Sequence, residues 1–437
     1  MSADIRAMKT TAEQSLAETF ARARARLPGK GAVERLREDA FRQFETSGLP
    51  HRRVEEWKYT DLRALMRDLY PLAGAPDAAA KARAEDAGKL LAGVVCRRLV
   101  FVDGALVHEL SDLTPEPGLT IDSMADALAK SDPLVAEHVG KTIQTDDVAV
   151  ALNTALMGDG AVVRVAAGTA LKRPIHLIFA AGSEKPSSAF IRSLIVVEKG
   201  AKATLIENHE SGASQVNAAL ELVAGDEAQI DYVKIIKARG LHVSTLLASI
   251  GAGAAFNSLA FNADAQVARN QLFVRFAGEG TKAAIRGVSL LKGNEHVDTT
   301  LLIDHAAGHC ESREQFRSVL DGESQGVFQG KIVVRPHAQK TDAKMMTRAL
   351  LLSEGAEADN KPELEIFADD VVCGHGATAG ALDDTLKFYL MARGIPAKEA
   401  EALLIQAFVG EAIEEIAHEG IREALMKAAL EWMGKRG

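Results

Sequence analysis

Residues 193–225 read SLIVVEKGAKATLIENHESGASQVNAALELVAG, a series of short apolar runs separated by corners that carry glycine or charge. Each run is too short for a helix and rich in Val, Ile and Leu, so the pattern predicts strands. The same texture extends outward. VVRVAAG and HLIFAAG precede it, and QIDYVKIIK, SLAFNAD, LFVRFAGEG, TLLIDH and KIVV follow it, which carries the strand region from Gly160 to about Val372. Corner glycines recur at Gly200, Gly225, Gly251 and Gly278, in steps of 25, 26 and 27 residues. So regular an interval suits the coil of a parallel β-helix, in which each turn stacks on its neighbour and buries an inward-facing row. A sandwich of hairpins or two small barrels is the alternative. The low aromatic content, 5%, favours the solenoid.

Both flanks change period. From Thr11 to Phe44 the spacing is helical, with Leu16, Phe20, Ala23 and Leu27 on one face and Val33, Leu36, Ala40, Phe41 and Phe44 on another after Pro28-Gly29. In HRRVEEWKYTDLR, residues 51–63, Trp57 and Tyr59 read as anchors of a cap. Asp77 to Ala92 is alanine-rich and charged, a helix or a mobile linker, and LVFVDGALV at 99–107 is a hairpin turning on Asp103-Gly104. Residues 120–157 return to helical spacing. After Pro396, Ile405, Val409, Ala412, Ile413 and Ile416 form one apolar stripe able to cap the solenoid, while Leu404 and Phe408 lie beside it and can bind a partner. The reading is a mainly β chain: residues 1–158 a mainly helical unit with a small hairpin, 159–377 a right-handed parallel β-helix, and 378–437 a helical unit.

The chemistry concentrates in residues 361–394, KPELEIFADDVVCGHGATAGALDDTLKFYLMARG. Leu364 and Ile366 alternate with Glu365 ahead of an Asp369-Asp370 turn, and Val371-Val372 leads into Cys373-Gly374-His375-Gly376, read as an exposed strand end. If the chain is extended there, Cys373 and His375 point to the same side, and thiolate and imidazole can approach one soft metal. A buried thiol beside a hydrogen-bonded histidine is the structural alternative. Gly374 and Gly376 leave room for another backbone. Asp383 or Asp384 then caps a helix carrying Leu382, Leu386, Tyr389 and Leu390.

Other classes fall away. A formal charge of −9 argues against nucleic acid as a general partner. No apolar run approaches the roughly 18 residues needed to span a bilayer, and MSADIRAMKTTAEQ lacks a signal-peptide core, so a cytoplasmic protein without membrane contact is expected. Three scattered cysteines, Cys96, Cys310 and Cys373, fit a reducing compartment and cannot form a self-contained four-cysteine cluster. Val139-Gly140-Lys141-Thr142 resembles the end of a phosphate loop, but Val135 replaces its first glycine and no strand is expected before it, so ATP hydrolysis is not. His305, His309 and Cys310 are metal-ligand types whose directions need not agree in strand context, and a hydrogen-bonding role is expected.

ADDVVCGHGATAG (368–380), FYLMARGIP (388–396), LLIQAFVGE (403–411), AQKTDA (338–343) and KPELEIF (361–367) together resemble the SufB/SufD family of iron-sulfur cluster assembly proteins. His375-Gly376-Ala377-Thr378 and Tyr389-Leu390 stand where the SufB branch typically has Cys-x-His-Glu-Ala-Thr and a tyrosine-cysteine pair, so the resemblance is to the SufD branch. It is dense over residues 300–412 and patchy at 50–63 and 99–104. The resemblance implies a β-helix between helical ends and a non-enzymatic scaffold subunit. It implies that His375, with Cys373 beside it, serves cluster assembly at an interface with a SufB-like paralogue. It also implies binding of a SufC-like ATPase through the C-terminal helices. No cofactor is expected to be held stably by the chain alone, only a transient iron-sulfur cluster in the assembled complex, and the isolated chain can pair with itself. An iron-sulfur centre needs about four protein donors, which one Cys-x-His pair cannot supply, so the site must be shared. Two other readings remain: an architectural solenoid in which Cys373 and His375 only pack, and a β-helical carbohydrate-active enzyme, for which the chain lacks a secretory signal and has few aromatic sugar platforms.

Overall fold

A computed structural model describes residues 9–434. Residues 1–8, on which the reading of the N-terminus partly rests, and 435–437, the end of the C-terminal unit, lie outside that range. Strand makes up 40% and helix 26%, organised as a β-solenoid of about eight turns with helices before and after it.

Two parallel sheets form the walls. Ile175–Ala180, Lys202–Ser211, the first half of Gln229–Ile250, the first half of Ala255–Phe276, Lys282–Leu291, Glu311–Leu320, Asp342–Leu351 and Val372–Gly380 stack as one. Ala161–Val165, Ser188–Val197, Gln215–Ala224, the second halves of the same two long strands, His296–His305, Gln325–Val334 and Glu357–Ile366 stack as the other. Alternation sorts the side chains. Ala203 and Leu205 join an interior core with Tyr232, Leu246, Phe256 and Leu272, while Ile206 and Val233 face outward into a different cluster.

The regular glycines sit at corners, for two distinct reasons. At Gly225, Gly251 and Gly278 an added Cβ would lie 2.6 Å from the nitrogen of Lys199, 2.8 Å from that of Asp226 and 2.2 Å from that of Ala252, so only glycine lets successive coils stack this closely. Gly200 has open space but φ of +67°, a left-handed turn that glycine adopts without strain.

The expected helices form at Thr11–Ala23 and Ala32–Ser47, the first opened by a Thr10/Glu13 capping box. With Val148–Leu156 they pack on Phe190 and Val243, on the outer face of the second sheet. The hairpin turns at Asp103-Gly104, both at positive φ, and its strand Arg97–Val102 adds to the first coil beside Ile175–Ala180. Of the two remaining stretches, the first takes the helical alternative and the second differs from the sequence reading. The segment 77–92 is helical at Ala78–Arg83 and Lys89–Leu91, and the helical stretch from 120 opens instead with the strand Leu119–Ser123, antiparallel to Ala161–Val165.

Ile405, Val409, Ala412, Ile413 and Ile416 are buried as the stripe predicts, but they do not cap the solenoid. The helices Ala397–Ile413 and Glu419–Gly434 lie along the outer face of the first sheet, against Val233, Leu259, Phe261, Val288 and Val319. The outward apolar row of that sheet is a longer surface than the coil end, and a two-helix layer covers it. The last coil, Glu357–Ile366 and Val372–Gly380, is therefore left without a strand or helix over its far edge among the described residues.

Candidate functional site

Cys373 and His375 lie at this open end. They do not close a strand, as the sequence reading had it. The chain turns at 367–371, and Val372–Gly380 begins immediately before Cys373, because Asp369-Asp370 supplies the break and Val372 resumes pairing with Asp342. Cys373 registers with Ala343 and His375 with Met345, both interior residues, so the pair faces into the lumen at its uncovered mouth. Cys373 is half-buried against the interior core, His375 is exposed, and burial pushes the Cys373 thiol up. A metal at the mouth would favour its thiolate. Gly374 has open space where a Cβ would project, whereas one on Gly376 would meet the Met346 methyl at 2.6 Å.

The other sequence candidates disperse. His305 is buried, its ring edge-on to Phe276 and its Nε2 3.1 Å from the Ser312 hydroxyl, and burial pushes it down to about 4. His309 turns outward at positive φ, and the Cys310 thiol donates to the carbonyls of Gly278 and Gly308. The backbone amides of Gly140 and Thr142 are taken by the Glu221 carboxylate, itself paired with buried Arg192, which fills the place a phosphate would need. Trp57 anchors as expected: buried, stacked on the Arg269 guanidinium at 3.9 Å, its Nε1–H donating to Asp147.

Leu404 and Phe408 are half-buried, with the Arg317 guanidinium 5.5 Å over the Phe408 ring. The larger uncovered apolar patch is next to them and was not singled out as a surface: Leu386, Phe388, Tyr389 and Met391 on the helix Asp384–Ala392, with Leu403, Phe388 being 72% exposed. Its signal was the run FYLM on a helix with no buried residue. Sequence reasoning also missed an interior network in which Glu207 accepts from Tyr232 and meets His209 Nε2 at 2.6 Å and Lys234 at 3.7 Å. Burial opposes charge on Glu207, but Lys234 and His209 hold its carboxyl below the usual range.

Residues 179–408 match the SUF system FeS cluster assembly SufBD core domain, and residues 10–177 match the SufBD protein N-terminal region. The chain belongs to the SufBD family. It is 33% identical over 387 residues to the iron-sulfur cluster assembly SufBD family protein slr0076 of Synechocystis, covering 84% of each chain. It is 31% identical to the iron-sulfur cluster assembly protein SufD of Escherichia coli, covering 88% of this chain and 90% of that one. To SufD of Bacillus subtilis it is 26% identical, covering 90% and 92%. This SufBD chain contains no helix, among its described residues, long and apolar enough to cross a membrane.

Proposed function

We propose that this chain is a non-catalytic subunit of a SUF-type scaffold in the cytoplasm, pairing edge to edge with a SufB-like paralogue so that the two share a cluster-assembly site. The observation that carries the reading is the inward-facing Cys373–His375 pair at a coil end whose strands have a free edge. A partner strand laid on that edge would be a β-augmentation, with main-chain hydrogen bonds for affinity and the partner's own side chains completing the donor set. The exposed patch at Leu386, Phe388 and Leu403, with Leu404 and Phe408 at its margin, is the surface for a SufC-like ATPase, which would supply the hydrolysis this chain does not perform. Iron and sulfide are cargo here, held transiently in the complex.

The test is His375→Ala in the copurified complex, with melting temperature and complex yield measured beside iron and sulfide content. Iron and sulfide should be lost from a stable, fully assembled complex, with Cys373→Ala milder. Normal cluster content would refute the role, and loss of stability and yield together would make His375 a packing residue.

A further inference from the structure

Beneath the mouth lies a group that none of the chemistry above employs. Register sets Glu314 beside Met345 and Met345 beside His375, all three facing inward, with Ser312, Ala343 and Cys373 in the neighbouring row. Two strand spacings place the Glu314 Cα roughly 9.6 Å below that of His375. Glu314 is fully buried, and neither of its side-chain oxygens has a hydrogen-bond partner. Its surroundings are apolar: Ile285 registers beneath it, and Phe316 and Phe328 pack 4.5 Å apart in the same lumen. Burial pushes its carboxyl up to about 8, against the weaker pull of Arg313 and of the nearby Ser312 hydroxyl, which is engaged with His305 Nε2 at 3.1 Å and not at hydrogen-bond geometry to Glu314. A buried carboxyl without a partner destabilises the fold that holds it, so its partner is to be sought outside the chain.

We propose that Glu314 is the inner oxygen donor of a three-ligand divalent-cation site whose outer donors are Cys373 and His375. The inference rests on the reading of that pair given above. Thiolate, imidazole and carboxylate together suit a first-row ion of borderline softness, and iron(II) as cargo is such an ion. The set is not preassembled: among the described residues no three His, Cys, Asp or Glu side chains stand together as a metal-binding group. Met345 occupies the intervening position, and its unbranched thioether can turn aside to let the column converge. On ligation the Cys373 thiol and the Glu314 carboxyl each release a proton to solvent. A site that must be drawn together binds weakly, which suits a station that passes its ion on.

Cobalt(II), titrated without oxygen into the full chain, is the probe. Wild type should show saturable binding with a thiolate-to-cobalt charge-transfer band. Glu314→Gln should weaken binding roughly 10- to 100-fold and shift the ligand-field bands, with the charge-transfer band retained at saturation. Glu314→Leu should lose the same affinity while melting at or above wild type. If Cys373→Ala and His375→Ala abolish the signal while both Glu314 variants bind like wild type, Glu314 is no ligand and the mouth reading stands. A Glu314→Leu chain that melts well below wild type makes the carboxyl structural and overturns the inference too. Absence of saturable cobalt binding by the chain alone, or binding indifferent to Cys373→Ala and His375→Ala, overturns this inference, whereas the shared-site reading stands or falls separately on the iron and sulfide content of the His375→Ala complex.

Discussion

Two strands of the same sheet, Ser188–Val197 and Glu357–Ile366, have the same length, yet the first is buried at all ten positions and the second at none. SAFIRSLIVV is covered inside by the lumen and outside by the N-terminal helices. EADNKPELEI has coils on one side only. Its outward positions carry Asp359, Lys361, Glu363 and Glu365, and Pro362 sits mid-strand, which is how an end strand is kept from pairing indiscriminately. A coil can thus be closed by packing or held open by charge, and the sequence of this chain does each at a different place. The open coil is also the one that bears Cys373 and His375.

The largest effect should come from the closed side. Arg269 and Asp298 are both fully buried and paired, Thr60 donates to the same carboxylate, and Trp57 stacks on the guanidinium, so the N-terminal segment is tied to the second sheet through this pair. Arg269→Ala leaves Asp298 uncompensated in the interior and should destabilise the chain by about 3 to 5 kcal/mol in chemical denaturation. A loss below ~1 kcal/mol would mean that the N-terminal layer is only loosely held, and the contrast between covered and open coils would fail.

Next is Gly278→Ala. The new methyl would lie 2.2 Å from the Ala252 nitrogen and 2.5 Å from its Cα, so two stacked corners must part, at a cost of about 3 kcal/mol. The denaturation midpoint should fall accordingly, and a neutral result would show that the corners yield independently.

These corners mark what the sequence made legible. The glycine step revealed a coil because close stacking demands it at Gly225, Gly251 and Gly278, and the alternating runs revealed strands because the lumen is mostly apolar. It did not reveal that Gln229–Ile250 and Ala255–Phe276 run unbroken through a corner into both sheets. Nor could the stripe at Ile405 to Ile416 say whether an end or a side is covered, since periodicity reports that a face is buried and not against what. At the site, the spacing of Cys373 and His375 put them on one side, but only register with Ala343 and Met345 shows that this side is the lumen. Glu314 was invisible for the same reason: in ESREQF every neighbour is polar save Phe316, and nothing local separates the inward Glu314 from the outward Glu311.

The smallest effect should be at the open end, and it tests openness itself. Gly374 lies in an extended strand outside the left-handed region, and an added Cβ would meet nothing within 4 Å. Its register partner is Lys344, on the outer side of the sheet, so the methyl of Gly374→Ala would point away from the lumen and from Cys373 and His375. Alanine also restricts the unfolded chain slightly more than glycine does. The isolated variant should therefore keep its stability to within about 0.5 kcal/mol, in contrast to the same substitution at Gly278. If instead Gly374→Ala melts several degrees below wild type, the last coil is covered in the free chain, Cys373 and His375 are not at a mouth, and a partner strand has no edge to join.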